Sequence, residues 1–367
     1  MHDRSLSGRK NSTKTKKVKV CYVAGREAAY SRTRTMIRGL QMAGFEVVPC
    51  LPRDKSFCHY PRILWDFLKK KRGCDLVVVG FYGQLLLPLV WALTGKPILF
   101  DLYITTYGTM VHDREKAREG SLLARVFWLS DKLSMTLARN ILIETRHHIR
   151  GYAKTYGIAE DKFRQVFLAL DESVVRPRPG IEEKGQFLVH FHGEYAPFHG
   201  VKYILQAAHL LRDERISFQI IGKGITWDAD MRLARELGLK NCRFIDRVPY
   251  EALGDFMSRA HVCLGFFGEN PRTTRVLTNK VIEALAAARP LITARNPSVE
   301  ELLEDGVSAI LVKRADPEAI AAAIGRLMKD PELRKRMARA GHEVFLKNCT
   351  LGVFSKRLGG IVREALA

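Results

Sequence analysis

Short apolar runs alternate with amphipathic segments along most of the chain. The runs VKVCYVAG (18–25), DLVVVG (75–80) and PILFDLY (97–103) predict strands that are buried on both faces. Segments with helical spacing separate them, for example residues 121–140. Strands that alternate with helices predict an α/β fold with parallel, doubly wound sheets.

The same pattern begins again in the second half of the chain. VVRPRPG (174–180) reads as a linker, and strands are predicted at FLVHFHG (187–193), FQII (218–221) and PLITA (290–294). We therefore predict two Rossmann-like domains that face each other across a cleft. The predicted divisions are a basic arm (1–17), an N-terminal domain (18–178), a C-terminal domain (179–345) and a last helix (346–367) that returns to the N-terminal domain.

Two features bear on the location of the protein in the cell. The uncharged run 76–95 is long enough to suggest a membrane span, but its glycines and Pro88 favour a strand, a short helix and a second strand. The first residues lack the apolar core of a secretory signal, and the seven cysteines include no C-x-x-C pair. These observations predict a cytosolic protein without structural zinc.

The charge is unevenly distributed. The 367 residues include 60 Lys and Arg against 39 Asp and Glu, a net charge of +21. Residues 1–19 carry +6, residues 20–180 carry +10, and residues 181–367 carry +5. A basic surface of this kind attracts phosphates of nucleic acid, anionic lipid or nucleotide. The composition, with 47% hydrophobic residues, excludes a disordered chain or a disulfide scaffold.

The segment GFFGENPRTTRVLTNKVIEALAAA holds the densest candidate chemistry. Asn279 is predicted to cap a helix whose free N–H groups attract anions, and Arg272, Arg275 and Lys280 add cations there. Glu283 lies one turn into that helix, where it can accept hydrogen bonds from ribose hydroxyls. The segment thus predicts a diphosphate site. The alternative is a capped amphipathic helix with solvated cations.

Other candidates follow other predicted strands, where ligands of α/β sheets bind. Gly222 and Lys223 would approach a nucleotide base, or form only a tight turn. Asp101 would contact a donor sugar or orient an acceptor, or act as an ordinary loop cap. The remaining candidates on the acceptor side are Arg26, Tyr30, Arg32, Asp113 and Arg114.

We predict no metal site at the histidines. His190 and His192 share one strand face, a spacing compatible with metal binding, but alternation in a buried strand explains them better. His147 and His148 have no recognisable partner and are predicted to lie at the surface.

Several motifs at consistent spacing resemble one enzyme family. FHGEYAPFHGVKYILQAAHLL, FQIIGKG, the segment from Gly265 to Thr293 and ARPLITARNPSVEELLEDGVSAILV resemble the C-terminal domain of GT-B glycosyltransferases of family 4, the glycosyl transferases of group 1. YSRTRTMIRGL and FDLYITTYGTMVHDR resemble the N-terminal domain more weakly. The resemblance implies transfer of a sugar from a nucleotide-diphosphate sugar, with retention, and without a metal or other cofactor.

The family pattern also implies roles for individual residues. Gly193 would border the donor diphosphate, and Glu283 matches the second of two family glutamates. Arg275 stands where the first glutamate is common, and Glu194 and His199 stand where an Arg and a Lys usually hold the diphosphate. In a subset with an Asn-Lys pair, Arg275 and Lys280 would hold it instead. The alternatives are a degenerate nucleotide-sugar-binding protein and an epimerase on the same fold.

The resemblance and the charge together suggest partners. The acceptor would be a saccharide or a lipid-linked molecule in cell-surface glycan synthesis, and the basic N-terminal domain would contact anionic membrane at the inner face of the cell membrane. Nucleic acid is disfavoured because no zinc finger, helix-turn-helix or RNP-like strand accompanies the charge.

Overall fold

The computed structural model describes residues 17–54, 56–178 and 185–367. The predicted basic arm therefore lies outside the described residues, except for Lys17. Two parallel six-stranded sheets form the molecule, one in each half of the chain, with strand orders β2-β1-β3-β4-β5-β6 and β12-β11-β10-β7-β8-β9. The predicted fold class is confirmed, since two doubly wound α/β domains lie side by side.

The N-terminal sheet is covered by helices on both faces, because its central strands have no polar side chain facing solvent. Cys21, Val77 and Phe100 pack to one side of the sheet, and Val20 and Leu99 pack to the other. The elements are β1 (Lys19–Val23), α1 (Ser31–Met42), β2 (Glu46–Cys50), α2 (Tyr60–Lys70), β3 (Leu76–Val79), α3 (Leu87–Leu93), β4 (Ile98–Asp101), α4 (Leu122–Leu137), β5 (Asn140–Ile143), α5 (Arg146–Tyr156) and β6 (Phe163–Gln165).

The C-terminal sheet holds the larger apolar cluster, centred on Phe191, Ile220 and Ile292. Its elements are β7 (Phe187–His192), α6 (Val201–Leu210), β8 (Ile216–Ile221), α7 (Trp227–Glu236), β9 (Cys242–Ile245), α8 (Leu253–Ser258), β10 (Val262–Leu264), α9 (Asn279–Ala286), β11 (Leu291–Ala294), α10 (Pro297–Glu300), β12 (Ile310–Val312), α11 (Pro317–Lys329), α12 (Pro331–Asn348) and α13 (Leu351–Leu366).

The last helix returns to the N-terminal domain. Phe354 and Leu358 of α13 pack against α1, and Ser355 Oγ donates a hydrogen bond of 2.8 Å to the Gly39 carbonyl. The helix begins at Leu351 rather than 346, because the Thr350 hydroxyl caps it by accepting from the Val353 N–H. The chain therefore crosses between the domains twice.

The uncharged run at 76–95 forms β3 and α3, as the glycines and the proline predict. None of the helices in the described ranges combines the length and hydropathy that a bilayer span requires.

Candidate functional site

A cleft of about 490 Å³ separates the two sheets. The loops that follow the parallel strands border it from both sides, as expected for ligand sites of α/β sheets. The N-terminal domain contributes Arg26, Tyr30, Phe81, Tyr82, Tyr103, Thr109, Asp113 and Arg114, and the C-terminal domain contributes His192, Gly193, Glu194, Phe198, His199, Gly222, Lys223, Arg247, Tyr250 and Arg272. Eight of the predicted site residues therefore meet at one cavity, whereas six others do not line it: Arg32, Asp101, Arg275, Asn279, Lys280 and Glu283.

Lys280 lies directly behind the C-terminal wall of this cleft. Its side chain is only 5% exposed, and in the described part of the chain its ammonium group has no hydrogen bond and no ion pair. A Cβ added to Gly193 would stand 2.8 Å from Lys280 Nζ, so the backbone of the cleft wall nearly touches the ammonium. Burial lowers the pKa of Lys280 to about 7; the charge of Glu283 opposes this shift, and the charge of Arg272 adds to it.

Lys280 also lies in the first turn of α9. The helix begins at Asn279, and its N-cap is Thr278, which makes no side-chain capping bond. This corrects the prediction that Asn279 is the cap: both residue types favour that position, and the backbone leaves the extended conformation one residue earlier. Asn279 borders a narrow crevice with Arg32 and Arg34 instead of the main cleft. The free N–H groups of α9 remain available to an anion.

Glu283 is buried on the next turn of α9. His192 Nε2 lies 2.7 Å from Glu283 Oε2, and the Tyr250 hydroxyl donates to Oε1 over 3.0 Å. Burial alone would raise the pKa of Glu283, but the bonds from His192 and Tyr250 outweigh it and lower the pKa. The carboxylate is therefore charged, and its two oxygens retain lone pairs for further donors.

A chain of polar side chains continues behind Glu283. His192 Nδ1 lies 2.9 Å from His190 Nε2, and the Gln219 amide nitrogen lies 2.8 Å from His190 Nδ1. Because that amide can only donate, His190 donates to His192, which in turn donates to Glu283. This chain of hydrogen bonds explains why His190 and His192 share one face of the strand. No cluster of three potential metal ligands exists among the residues that the structure describes.

His199 and Glu194 stand where the family pattern usually has two cations. Their surroundings show which charges remain at this position. His199 is buried, its Nδ1 contacts the Glu194 carbonyl, and burial beside Lys280 lowers its pKa well below the ordinary value. It is therefore neutral near pH 7. Lys280 occupies the adjacent space next to Gly193, so a cation from α9 stands near the position that the loop after β7 leaves uncharged.

Ion pairs cross the cleft. Arg272 Nη1 lies 2.6 Å from Asp113 Oδ2, and Arg114 lies 3.8 Å from Glu194. The Arg272 guanidinium also stacks 4.2 Å above the Phe198 ring. Burial raises the pKa of Asp113, and Arg272 opposes that shift. The predicted residues Arg272, Asp113 and Arg114 thus come together across the domain boundary.

An aromatic wall lines the N-terminal side. Tyr30 and Phe81 stack with ring centroids 4.9 Å apart, Tyr103 packs edge-on to Phe81 at 5.2 Å, and Arg26 lies 4.1 Å above Tyr30. Tyr82 and Tyr103 have φ values of 60° and 50°, in the left-handed region that side chains rarely adopt. Backbone strain of this kind concentrates at ligand sites.

Two close backbone segments form one side of the cleft. A Cβ at Gly222 would stand 1.9 Å from the Gly193 carbonyl oxygen, so residue 222 must be glycine for β7 and β8 to end side by side. Lys223 and Arg247 border the cavity next to them. Gly222 and Lys223 therefore border the cleft, and their contact with a nucleotide base stays a prediction.

Two predicted residues on the acceptor side face the interior. Asp101 is fully buried, and both its oxygens accept hydrogen bonds from Arg32 at 2.6–3.3 Å. Arg32 is itself only 6% exposed. The prediction that Asp101 contacts the donor sugar or the acceptor is therefore wrong in this arrangement, and Arg32 belongs to the same internal pair, because each charge needs the other once both are buried.

Arg275 lies apart from Lys280. Its side chain reaches Gly151 of α5 and borders a second cavity of about 130 Å³, which adjoins the main cleft at Ile104 and Arg272. The predicted joint grip of Arg275 and Lys280 on one diphosphate does not match this placement. His148 borders the same cavity, 5% exposed and 2.8 Å from Glu144, which corrects its predicted surface position.

Comparisons with known proteins show similarity to one enzyme family. Residues 186–330 match the family model described as glycosyl transferases group 1. HepE of Anabaena, solved in complex with UDP and glucose, aligns with a TM-score of 0.74 over 95% of this chain and 100% of that chain, at 11% identity. The segment 186–330 of this chain is therefore similar to the group 1 glycosyl transferases. Sucrose-phosphate synthase of Thermosynechococcus elongatus also aligns with a TM-score of 0.74, at 14% identity, over 95% of this chain and 99% of that one, so the GT-B fold is shared.

A curated relative is similar over a longer part of the chain. Alpha-D-kanosaminyltransferase of Streptomyces kanamyceticus is 29% identical over 248 residues, which cover 66% of this chain. The aligned part spans 60% of that relative, and about half the length of other curated relatives.

Sequence reasoning missed several residues of the candidate site. His192, Tyr250, Arg247 and the ring of Tyr103 all border the cleft. A signal existed for three of them, because His192, Arg247 and Tyr103 lie within two residues of a strand's carboxyl end. Tyr250 lies farther along its loop, and its bond to Glu283 could not be read from the sequence.

Proposed function

We propose that this glycosyltransferase moves a sugar from a nucleotide-diphosphate sugar to a hydroxyl of a saccharide or lipid-linked acceptor across the cleft. The observation that carries the proposal is Lys280. Its buried ammonium makes no hydrogen bond and no ion pair with an anion in the described residues, and it lies next to the glycine backbone of the cleft wall in the first turn of α9. A diphosphate would supply the missing anion.

The arrangement supports a role for protein cations in departure of the diphosphate. Lys280, the free N–H groups of α9 and Arg272 would stabilise charge on the leaving oxygens, a preorganised electrostatic effect. Glu283 would bind the ribose hydroxyls, and Gly222 with Lys223 would border the base. Metal independence and retention of configuration are part of the proposal and require direct tests.

The N-terminal wall is the proposed acceptor side. Tyr30, Phe81 and Tyr103 form an aromatic surface along the cleft against which a sugar could pack, and Asp113 and Arg114 offer hydrogen-bonding groups. We further propose that the acceptor belongs to cell-surface glycan synthesis and that the basic N-terminal half meets anionic membrane on its cytoplasmic side. Domain closure would exclude water and limit hydrolysis of the donor.

A donor screen tests the reaction. The protein is incubated with UDP-, GDP-, ADP- and dTDP-sugars, with and without candidate acceptors, and products are identified by mass spectrometry. UDP-sugars come first because the HepE structure contains UDP. Acceptor-dependent release of nucleotide diphosphate with a glycosylated product would support the proposal. A changed sugar in the absence of acceptor would indicate an epimerase, and binding without turnover of any donor would indicate a nucleotide-sugar-binding protein.

The screen includes one matched pair of variants. Lys280→Met removes the buried cation, whereas Lys202→Met removes an exposed lysine of the same domain. We expect transfer to be lost only in Lys280→Met, and chelator or added Mg²⁺ to leave the wild-type rate unchanged.

A further inference from the structure

The helix α4 presents apolar side chains to solvent along its whole length. Leu122, Val126, Leu129 and Leu133 are 79%, 48%, 57% and 47% exposed. Their spacing of four, three and four residues places them on one face, here named the α4 stripe. Sixteen residues of helix extend about 24 Å. Exposed apolar surfaces of this size in soluble proteins mark interaction sites.

The opposite face of α4 is fixed by polar contacts. Asp131 accepts hydrogen bonds from the N–H groups of Thr106 and Tyr107 at 2.8 and 2.7 Å, and Ser134 donates to the Gln84 carbonyl at 2.6 Å. Turning the stripe inward would break these bonds and expose two backbone N–H groups. The outward direction of the leucines is therefore built into the packing of the helix.

Neighbouring helices extend the apolar surface. Leu89 and Trp91 of α3, which packs against α4, are 49% and 51% exposed, and Trp65 of α2 is 59% exposed. In contrast, the C-terminal domain exposes its large apolar residues singly, at Ile225, Val307 and Leu346 for example. The two exposed tryptophans suit a membrane surface, because indole rings favour the depth of the lipid headgroups.

Basic residues flank the stripe. Arg125 and Lys132 lie on α4 itself, and Arg118 and Arg139 lie just beyond its two ends. Between residues 118 and 139 the acidic side chains are Glu119 and the buried Asp131. A second copy of this face would bring like charges together. An anionic lipid surface would meet both the leucines and the cations.

We infer that α4, with α3 beside it, docks on an anionic lipid bilayer and inserts the α4 stripe into the headgroup region. This surface lies next to the proposed acceptor side. A shallow recess of about 340 Å³ opens beside Leu129, and Tyr107 lines both this recess and the second cavity, which adjoins the cleft. The recess, the second cavity and the cleft thus form one continuous path. This step rests on the proposed function: docking would place a lipid-linked acceptor near the cleft.

Vesicle flotation tests the docking surface without donor or acceptor, so its outcome is independent of sugar transfer. Wild-type protein should float with vesicles of phosphatidylcholine and phosphatidylglycerol, and much less with phosphatidylcholine alone. Leu129→Glu with Leu133→Glu should lower the partition coefficient about tenfold or more. The matched control is Leu346→Glu on α12, which is 51% exposed on the other domain and should bind as wild type.

Two further variants separate the contribution of the basic residues from that of the exposed tryptophan. Arg125→Glu with Lys132→Glu should remove the preference for phosphatidylglycerol and its salt dependence. Brominated lipid should quench wild-type tryptophan fluorescence, and Trp91→Phe should lose part of that quenching. Circular dichroism and thermal midpoints verify that the exposed substitutions leave the fold intact.

Three outcomes would overturn the inference. The first is a wild-type protein that binds neither vesicle, and the second is a double glutamate variant that binds as tightly as wild type. The third is a dimer, detected by sedimentation, that Leu129→Glu with Leu133→Glu dissociates. That last result would assign the α4 stripe to a second copy of the chain.

Discussion

Each domain buries one cation beneath the cleft, and the two are held in opposite ways. Arg32, at the start of α1, is 6% exposed and is bound by both oxygens of Asp101. Lys280, at the start of α9, is 5% exposed and has no ion pair within the described residues. Burial disfavours the charge of both, but Asp101 outweighs that effect and raises the pKa of Arg32, whereas the pKa of Lys280 falls to about 7.

The difference separates structure from function. A buried ion pair with its hydrogen bonds complete holds β4 and α1 together and needs nothing else. A buried ammonium without a partner is unfavourable until an anion arrives, and sites of this kind concentrate where ligands bind. We therefore propose that the pair in the N-terminal domain serves stability and that the single lysine in the C-terminal domain serves donor binding.

Breaking the Arg32–Asp101 pair should have the largest effect. Asp101→Asn leaves Arg32 buried without a counter-charge and should lower the free energy of unfolding by about 3–5 kcal/mol. Urea titration followed by circular dichroism measures the change. The double variant Arg32→Met, Asp101→Leu should recover much of the loss, because it removes both charges together. A single variant as stable as wild type would remove the structural role assigned to the pair.

Lys280→Met should have the opposite effect on stability and should impair activity. It removes the cation proposed to stabilise the departing diphosphate, so transfer should fall about 10²–10³-fold. The thermal midpoint should rise, because an apolar side chain replaces a charge buried without a partner. Lys202→Met should change neither quantity. Wild-type turnover, or a lower thermal midpoint, in Lys280→Met would contradict the comparison between the two cations.

The elements behind this comparison differ in how far the sequence predicts them. Apolar runs identify the strands, and the local pattern alone, a lysine in the first turn of a helix after a β-strand loop, predicts that Lys280 binds an anion. The pairing of Arg32 with Asp101 joins residues 69 positions apart, and no local pattern reveals it. The same limit applies to the chain from Gln219 to Glu283, which links three separate elements.

The other differences between the predicted and the observed structure arise where the local sequence permits two alternatives. Thr278 and Asn279 are both good N-cap residues, so the sequence alone does not decide which one caps α9. The amphipathic helix predicted within residues 121–140 is confirmed as α4, but periodicity does not show which face is buried. Contacts of Asp131 and Ser134 with distant backbone decide it, and they leave the leucines outside.

The pKa of Lys280 predicts how donor binding depends on pH. Below about pH 7 the ammonium is already charged in the free protein, whereas above it binding of a diphosphate must take up a proton. The dissociation constant of UDP should therefore rise with pH above about 7, by up to about tenfold per pH unit. Isothermal titration calorimetry measures both the affinity and the proton uptake. Lys280→Met should show neither effect, and the same slope in that variant would assign the titration to another group.

Protonation of Lys280 also affects folding, with a definite sign. The folded-state pKa lies below the ordinary value of 10.5, so the unfolded chain binds the extra proton between about pH 7 and 10.5. Burial of Lys280 therefore destabilises the folded protein less as the pH rises through this window. The difference in unfolding free energy between wild type and Lys280→Met should shrink over the same range.

The smallest effect is expected at the far end of the histidine chain. Gln219 contacts no part of the cleft, but its amide donates to His190 and so sets the direction of the bonds that reach Glu283. Gln219→Leu should raise the KM for the donor about fivefold, the cost of about one hydrogen bond, with little change in kcat. Gln219→Glu offers an acceptor instead of a donor, so it should shift the pH profile of KM, because His190 would then need a second proton. A purely structural role would lower the thermal midpoint in both variants and leave the pH profile unchanged.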